Sequence, residues 1–203
     1  MGLILFTQFS SQLHSSELQA FDEQLSKRII EGRSTFLTRA MMVITSLGSA
    51  TAYFIIIPIV GWILYRNDRT WAHSIEAFII LVSGFLINLA LKFYYGRLRP
   101  DESLQLIALR EGSLSFPSGH SMTAMAFYGF LIYLVWQYTR TKIKQVVFIS
   151  TLTFLILLIG FSRVYLGAHF PSDVLAGFTA GLIWLLVCIS ILRFYHFRIL
   201  RSH

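Results

Sequence analysis

The sequence predicts an all-α fold, a polytopic transmembrane helix bundle of five spans with a short apolar stretch at the N-terminus as a candidate sixth. Three observations lead there. Hydrophobic residues make up 55% of the 203 and charged residues only 13%, a balance outside the soluble globular range. Long uncharged apolar runs recur along the chain, close to the ~20 residues that a helix needs to cross a bilayer. Lysines and arginines gather in short connections between those runs, as they do on the cytoplasmic side of membrane proteins. The whole chain, 1–203, reads as one membrane-embedded domain: a start and surface helix over 1–39, the bundle over 40–192 and a basic tail over 193–203. Cys188 is the sole cysteine, which excludes an intrachain disulfide and a cysteine-based metal cluster.

Taken in order, residues 1–16 hold one apolar run, Leu3 to Phe9, too short to span and without the basic start or cleavage site of a signal peptide. Residues 17–39 place Phe21, Leu25, Ile29 and Ile30 at roughly helical spacing among Asp22, Glu23, Lys27, Arg28, Glu31 and Arg33, the pattern of an amphipathic helix lying at a membrane surface. Ala40 to Tyr65 carries no charged side chain and is the first predicted span. The second runs from Trp71 to Leu91, with His73 and Glu76 near its interfacial start and Lys92 at its end. The third covers Ser118 to Tyr138, the fourth Val146 to Phe161 and the fifth Val174 to Leu192.

The connections Arg66–Arg69 and Arg140–Lys144 and the tail Arg193–Arg201 carry eight Lys/Arg against one acid, Asp68. If the five spans alternate, these three lie together, and the positive-inside rule makes their side cytoplasmic. The opposite face carries nine Lys/Arg against eight acids, so the orientation rests on the short loops and the tail. The net charge of +7 is then mostly a topology signal, and nucleic acid is set aside as a partner. The expected protein is a multi-pass component of the cell membrane with its C-terminus in the cytoplasm.

Three stretches that bear chemistry fall on the opposite, extracytoplasmic face although eighty residues of sequence separate them. Lys92 to Pro100 brings three cations, Lys92, Arg97 and Arg99, to one span end, which invites an anion; snorkelling interfacial cations would look the same. Pro117-Ser118-Gly119-His120 opens the third span. Proline suits a first helical turn, glycine lets a ligand approach the backbone, and free N–H groups at a helix start bind phosphate. A histidine there is placed to transfer a proton, although an interfacial histidine at a helix start has the same appearance. Arg163 to Asp173 adds an arginine and a His169/Asp173 pair four residues apart, in which a carboxylate would hold the imidazole tautomer and leave the other nitrogen free to attack.

Together, Lys92-x6-Arg99-Pro100, Pro117-Ser118-Gly119-His120 and Ser162-Arg163-x5-His169-x3-Asp173 resemble the complete signature of the type-2 phosphatidic acid phosphatase superfamily, in its order and spacing, over residues 40–192. The resemblance is to its small bacterial membrane members. It implies a lipid phosphatase in which His169 takes the phosphoryl group as a phosphohistidine, Asp173 orients it and His120 protonates the leaving oxygen. Lys92, Arg99, Arg163, Ser118 and the backbone at Gly119 and His120 would hold the phosphate oxygens. Arg97 and Asn88 are expected in support, Asn88 either beside Lys92 on its helix face or in an interhelical hydrogen bond. No cofactor or metal is expected, because these cations fill the role of magnesium and no acidic cluster could hold one. The expected substrate is a membrane lipid bearing a terminal phosphate, undecaprenyl diphosphate or phosphatidylglycerophosphate ahead of phosphatidic acid. The alternative is a transporter or sensor that binds lipid phosphates without turnover.

Overall fold

The computed structural model describes residues 6–7, 10–13, 15–68, 71–107 and 112–201. Among them the regular structure is helical, apart from an isolated bridge between Leu98 and Leu114. The N-terminal apolar run Leu3–Phe9 lies mostly outside the described residues; of it, Phe6 packs edge-on to Tyr95 and beside Phe116.

The predicted surface helix over 17–39 is two helices. Helix α1, Ser16–Glu31, starts on the side chain of Ser15 and stops at Gly32; helix α2, Thr35–Ser46, restarts on Ser34, whose hydroxyl accepts from Leu37 N. Both starts are serine caps, each satisfying an N–H that a helix leaves free. Leu18, Asp22 and Ser26, one turn apart, are buried against the bundle, and Phe21 is exposed. An acid thus points inward from a helix whose charges read as solvated.

The first predicted span is not one helix either. Helix α2 and helix α3, Ala50–Asp68, meet at a 58° bend, and the break falls on Gly48-Ser49, a pair of the kind that kinks helices. A Cβ on Gly48 would stand 2.7 Å from Ile159 Cγ2 and 3.2 Å from His120 Cδ2, so only glycine lets the bend sit against the site. The backbone carbonyls freed there find partners: Tyr128 Oη donates to Leu47 O at 2.7 Å and Ser49 Oγ to Ser46 O at 2.6 Å. Irregular backbone at membrane depth requires such internal satisfaction.

Helix α4 spans Ala72–Tyr95, helix α5 Gly119–Tyr138, helix α6 Lys142–Tyr165 and helix α7 Pro171–Arg201. Of the described helices, α4, α6 and α7 through Phe194 are long and apolar enough to cross a membrane, and the bent α2–α3 pair raises that to four. Helix α5, expected as a span, is not among them. Its surroundings explain why: it is wrapped by its neighbours, with Met122, Ala124, Ala126, Phe127 and Phe130 buried. A helix that faces protein rather than lipid can carry Ser121, Thr123 and two glycines without cost.

Helix α7 packs closest against α5. A Cβ on Gly177 would stand 2.7 Å from Ser118 O, and one on Gly181 2.5 Å from Met122 O. This Gly-x3-Gly face is how membrane helices gain van der Waals contact where no hydrophobic force draws them together. Tyr53 packs its ring at a tilt against Phe127 and Tyr128 to close the core from α3.

Candidate active site

All three sequence stretches converge at one end of the bundle. Helix α4 ends at Gly96, whose φ of 60° gives a left-handed cap that donates to Lys92 O, so Lys92 occupies the last turn and its side chain reaches upward. The loop that follows doubles back through the Leu98–Leu114 bridge, with Ser115 N donating to Arg97 O at 2.7 Å. That pairing brings Arg99 and Ser115 to the two flanks of His169.

His169 is buried in the turn between α6 and α7. Arg99 Nη1 lies 3.2 Å from its Nε2. A guanidinium has only donors, so Nε2 accepts and its lone pair faces the cations, which leaves the proton on Nδ1. On that side Ser115 Oγ is 3.2 Å away and Asp173 Oδ2 3.5 Å. Ser115 Oγ donates closely to the same Asp173 oxygen. The connection from imidazole to carboxylate therefore runs chiefly through the serine. Burial, and then the charges of Arg99, Arg163 and Lys92, pushes the His169 pKa well below its ordinary value, which keeps the ring neutral and its lone pair available.

Asp173 sits in the first turn of α7 and caps it, accepting from Phe170 N at 2.9 Å. Its other oxygen accepts from Arg97 Nη1 at 2.7 Å. Arg97 is thus spent: its Nη1 also donates to Ser172 Oγ, its Nη2 donates to Asp22 at 2.7 Å, and its guanidinium lies over the Phe170 ring. It does not line the cavity in front of His169, so the cations expected to act together in this stretch separate into Lys92 and Arg99 facing the cavity and Arg97 behind it.

That cavity has a volume of about 560 Å³ and is lined by Lys92, Arg99, Gly119, His120, Arg163 and His169 at its polar end. Lys92 Nζ donates to Leu114 O and Ser115 O. Arg99 donates to Ser113 Oγ and Ala168 O, and Arg163 Nη1 to Thr45 Oγ1 at 2.8 Å. The Nε of Arg163 is buried without a partner among the described residues. Among the described residues none of these three cations pairs with a carboxylate. Burial lowers the pKa of Arg99, with the Asp173 charge acting in the opposite sense. Three partly or fully buried cations without an ion-pair partner among the described residues, gathered at the end of one cavity, are an arrangement suited to an anion.

Ser118 precedes α5 in an extended conformation without a side-chain capping bond, and its N–H donates to Asp173 O. Its hydroxyl accepts from Ser121 Oγ and is buried behind the cavity. Asn88 Nδ2 donates to Pro117 O at 3.2 Å, the interhelical alternative for this residue, and its Oδ1 lies 3.0 Å from where a Cβ on Gly119 would stand. Asn88 therefore steadies the Pro117–His120 turn and has no hydrogen bond to Lys92. Away from the polar end the cavity runs down between α3 and α4 along Tyr53, Phe54, Ile57, Phe78, Val82 and Phe85, walls suited to a hydrocarbon tail. No group of three or more His, Cys, Asp or Glu side chains is placed to hold a metal among the described residues.

The sequence reading did not place Ser115, Thr45 or Asp22 at the site. Ser115 stands two residues before a recognised motif and could have been suspected on that ground. Thr45 and Asp22 come from the first helices, remote in sequence, and nothing local marks them.

The family model described as the PAP2 superfamily matches residues 74–196. Phosphatidylglycerophosphatase B of Bacillus subtilis is 34% identical over 182 residues, covering 89% of this chain and 87% of that protein. An undecaprenyl-diphosphatase of the same organism is 28% identical over 146 residues, covering 71% and 69%. The crystal structure of a transmembrane PAP2-type phosphatidylglycerolphosphate phosphatase from Bacillus subtilis superposes with a TM-score of 0.86 at 30% identity, over 95% of this chain and 94% of that one. On the match of its central residues, and on its likeness in sequence and fold to those membrane enzymes, the chain belongs to the PAP2 superfamily.

Proposed function

We propose that this membrane lipid phosphatase removes the terminal phosphate of phosphatidylglycerophosphate or undecaprenyl diphosphate through a covalent phosphohistidine. The observation that carries the reading is the lone pair of His169 Nε2, turned toward the unpaired cations Lys92, Arg99 and Arg163 at the head of an apolar-walled cavity. Arg99 leaves Nε2 for a phosphate oxygen when substrate enters. Nε2 then attacks phosphorus, the bond to the lipid oxygen breaks, and His120 supplies a proton to that oxygen. In the second step His120 takes a proton from water, whose oxygen displaces Nε2 and releases inorganic phosphate. Lys92, Arg99, Arg163 and the backbone at Gly119 hold the charge that builds on the transferring group, which is the main demand of phosphoryl transfer. A carrier or sensor of lipid phosphates would use the cations but would have no need of an oriented, neutral His169.

We place phosphatidylglycerophosphate first, ahead of undecaprenyl diphosphate and phosphatidic acid, a ranking supported by the higher identity to the phosphatidylglycerophosphatase. Purified protein presented with the three lipids is expected to release phosphate with EDTA present, at a catalytic efficiency highest for phosphatidylglycerophosphate. Loss of activity on chelation, with recovery on adding magnesium, would refute a reaction run by the protein's own cations.

We further infer five crossings, with the α2–α3 pair as one broken crossing and α4 to α7 as the rest, the site extracytoplasmic and the C-terminus cytoplasmic. The basic connections at the far end of the bundle support this orientation. In a Cys188→Ser background, Glu102→Cys should react with an impermeant thiol reagent in intact cells and Ser202→Cys should not. The reverse pattern would turn the enzyme over.

A further inference from the structure

Asp22 is an acid on an amphipathic helix 150 residues from the Ser172 it touches, yet it is fully buried. Its Oδ2 accepts from Arg97 Nη2 at 2.7 Å and from Ser172 Oγ at 2.5 Å, and its Oδ1 from Ser172 N at 2.9 Å. The same guanidinium donates through Nη1 to Asp173 Oδ1. The result is a row of carboxylate, guanidinium and carboxylate that ends on the residue behind His169.

We propose that Asp22 is a positioning residue for phosphoryl transfer, acting on His169 through Arg97 and Asp173. The inference rests on the nucleophile assignment made above. Two physical effects support it. A carboxylate must present a negative field to the imidazole Nδ1–H if the opposite nitrogen is to stay nucleophilic, and Arg97, 2.7 Å from Asp173, would cancel most of that field alone. Asp22 neutralises Arg97 from the far side, so the three groups together keep one negative charge next to Ser115 and His169. Asp22 also takes both the N–H and the hydroxyl of Ser172, the neighbour of Asp173 in the first turn of α7. That fixes the turn from which the Asp173 carboxylate projects.

Attachment of α1 has contacts besides this carboxylate. Arg33, just beyond α1, donates to Tyr165 O at 2.9 Å and to Leu104 O at 2.8 Å, and Tyr165 Oη accepts from Ser34 N. These contacts tie the segment to the end of α6 and to the loop after α4 without involving Asp22. The effect of Asp22 on the reaction is therefore separable from its effect on attachment.

The test is steady-state kinetics of Asp22→Asn, Arg97→Gln, their double variant, Arg33→Ala and His169→Ala, with thermal midpoints in detergent. The Asp22→Asn change keeps the shape but replaces one acceptor by donors that oppose Arg97 and Ser172. We expect kcat for Asp22→Asn to fall about 10- to 100-fold with KM within about twofold, in line with the loss of an outer partner that tunes an active group. In the Arg97→Gln background the same change should cost no more than about threefold, because the route is already cut. Arg33→Ala should lower the thermal midpoint with little loss of kcat. An Asp22→Asn enzyme with wild-type kcat, a loss that adds fully to Arg97→Gln, or an equal loss of kcat in Arg33→Ala would overturn the proposal. Turnover retained by Asp22→Asn beside an inactive His169→Ala overturns the role of Asp22 alone. Turnover retained by His169→Ala overturns the nucleophile and the role of Asp22 with it.

Discussion

His169→Ala is expected to lower kcat by at least about 10,000-fold, the scale seen when a covalent nucleophile is removed. The residue is buried and its Nε2 contacts Arg99, so truncation leaves a small void and releases a guanidinium into a cavity that already holds it. Folding should survive, and His169→Gln, which keeps an acceptor for Arg99, provides a second variant with the same expected loss. Wild-type protein quenched during turnover of a lipid labelled on its terminal phosphate should retain acid-labile, base-stable label, and neither variant should. A near wild-type rate in both variants, or label retained in both, would mean that another group attacks phosphorus.

Arg163→Met should lower kcat/KM by about 1,000-fold, a loss of roughly 4 kcal/mol of transition-state stabilisation, at the lower end of what a transition-state arginine contributes. The same change is expected to leave the thermal midpoint in detergent unchanged or higher. Arg163 is a buried cation with no carboxylate partner among the described residues and an Nε without an acceptor, so in the free enzyme it carries a desolvation penalty that its bond to Thr45 only partly offsets. Methionine fills similar volume without that penalty, and Thr45 can turn its hydroxyl to its own helix. On the proposed mechanism the protein holds a charge that costs stability at rest and that bound phosphate would compensate. A fall in midpoint of many degrees, or a loss of activity under tenfold, would make Arg163 a structural residue instead.

Much of this molecule is local and was legible in the residues. An apolar run long enough to cross a bilayer declares a helix without knowing its neighbours, and α4, α6 and α7 lie where such runs predicted them. Alternation of those runs also predicts that Lys92–Pro100, Pro117–His120 and Arg163–Asp173 meet at one end, because each adjoins a helix terminus on the same face. Tertiary structure decided what depends on partners far away in sequence. The first span breaks at Gly48-Ser49, where Tyr128 of α5 satisfies the freed carbonyl of Leu47, and a hydropathy run holds no record of that hydroxyl. Helix α5 is less apolar than a lipid-facing span because protein surrounds it. Arg97 and Arg99, two residues apart and chemically alike, have opposite fates: one is neutralised by Asp22 and Asp173, the other faces the cavity with no carboxylate partner among the described residues. A sequence records that a charge exists, while what neutralises it is set by distances that only the folded chain creates.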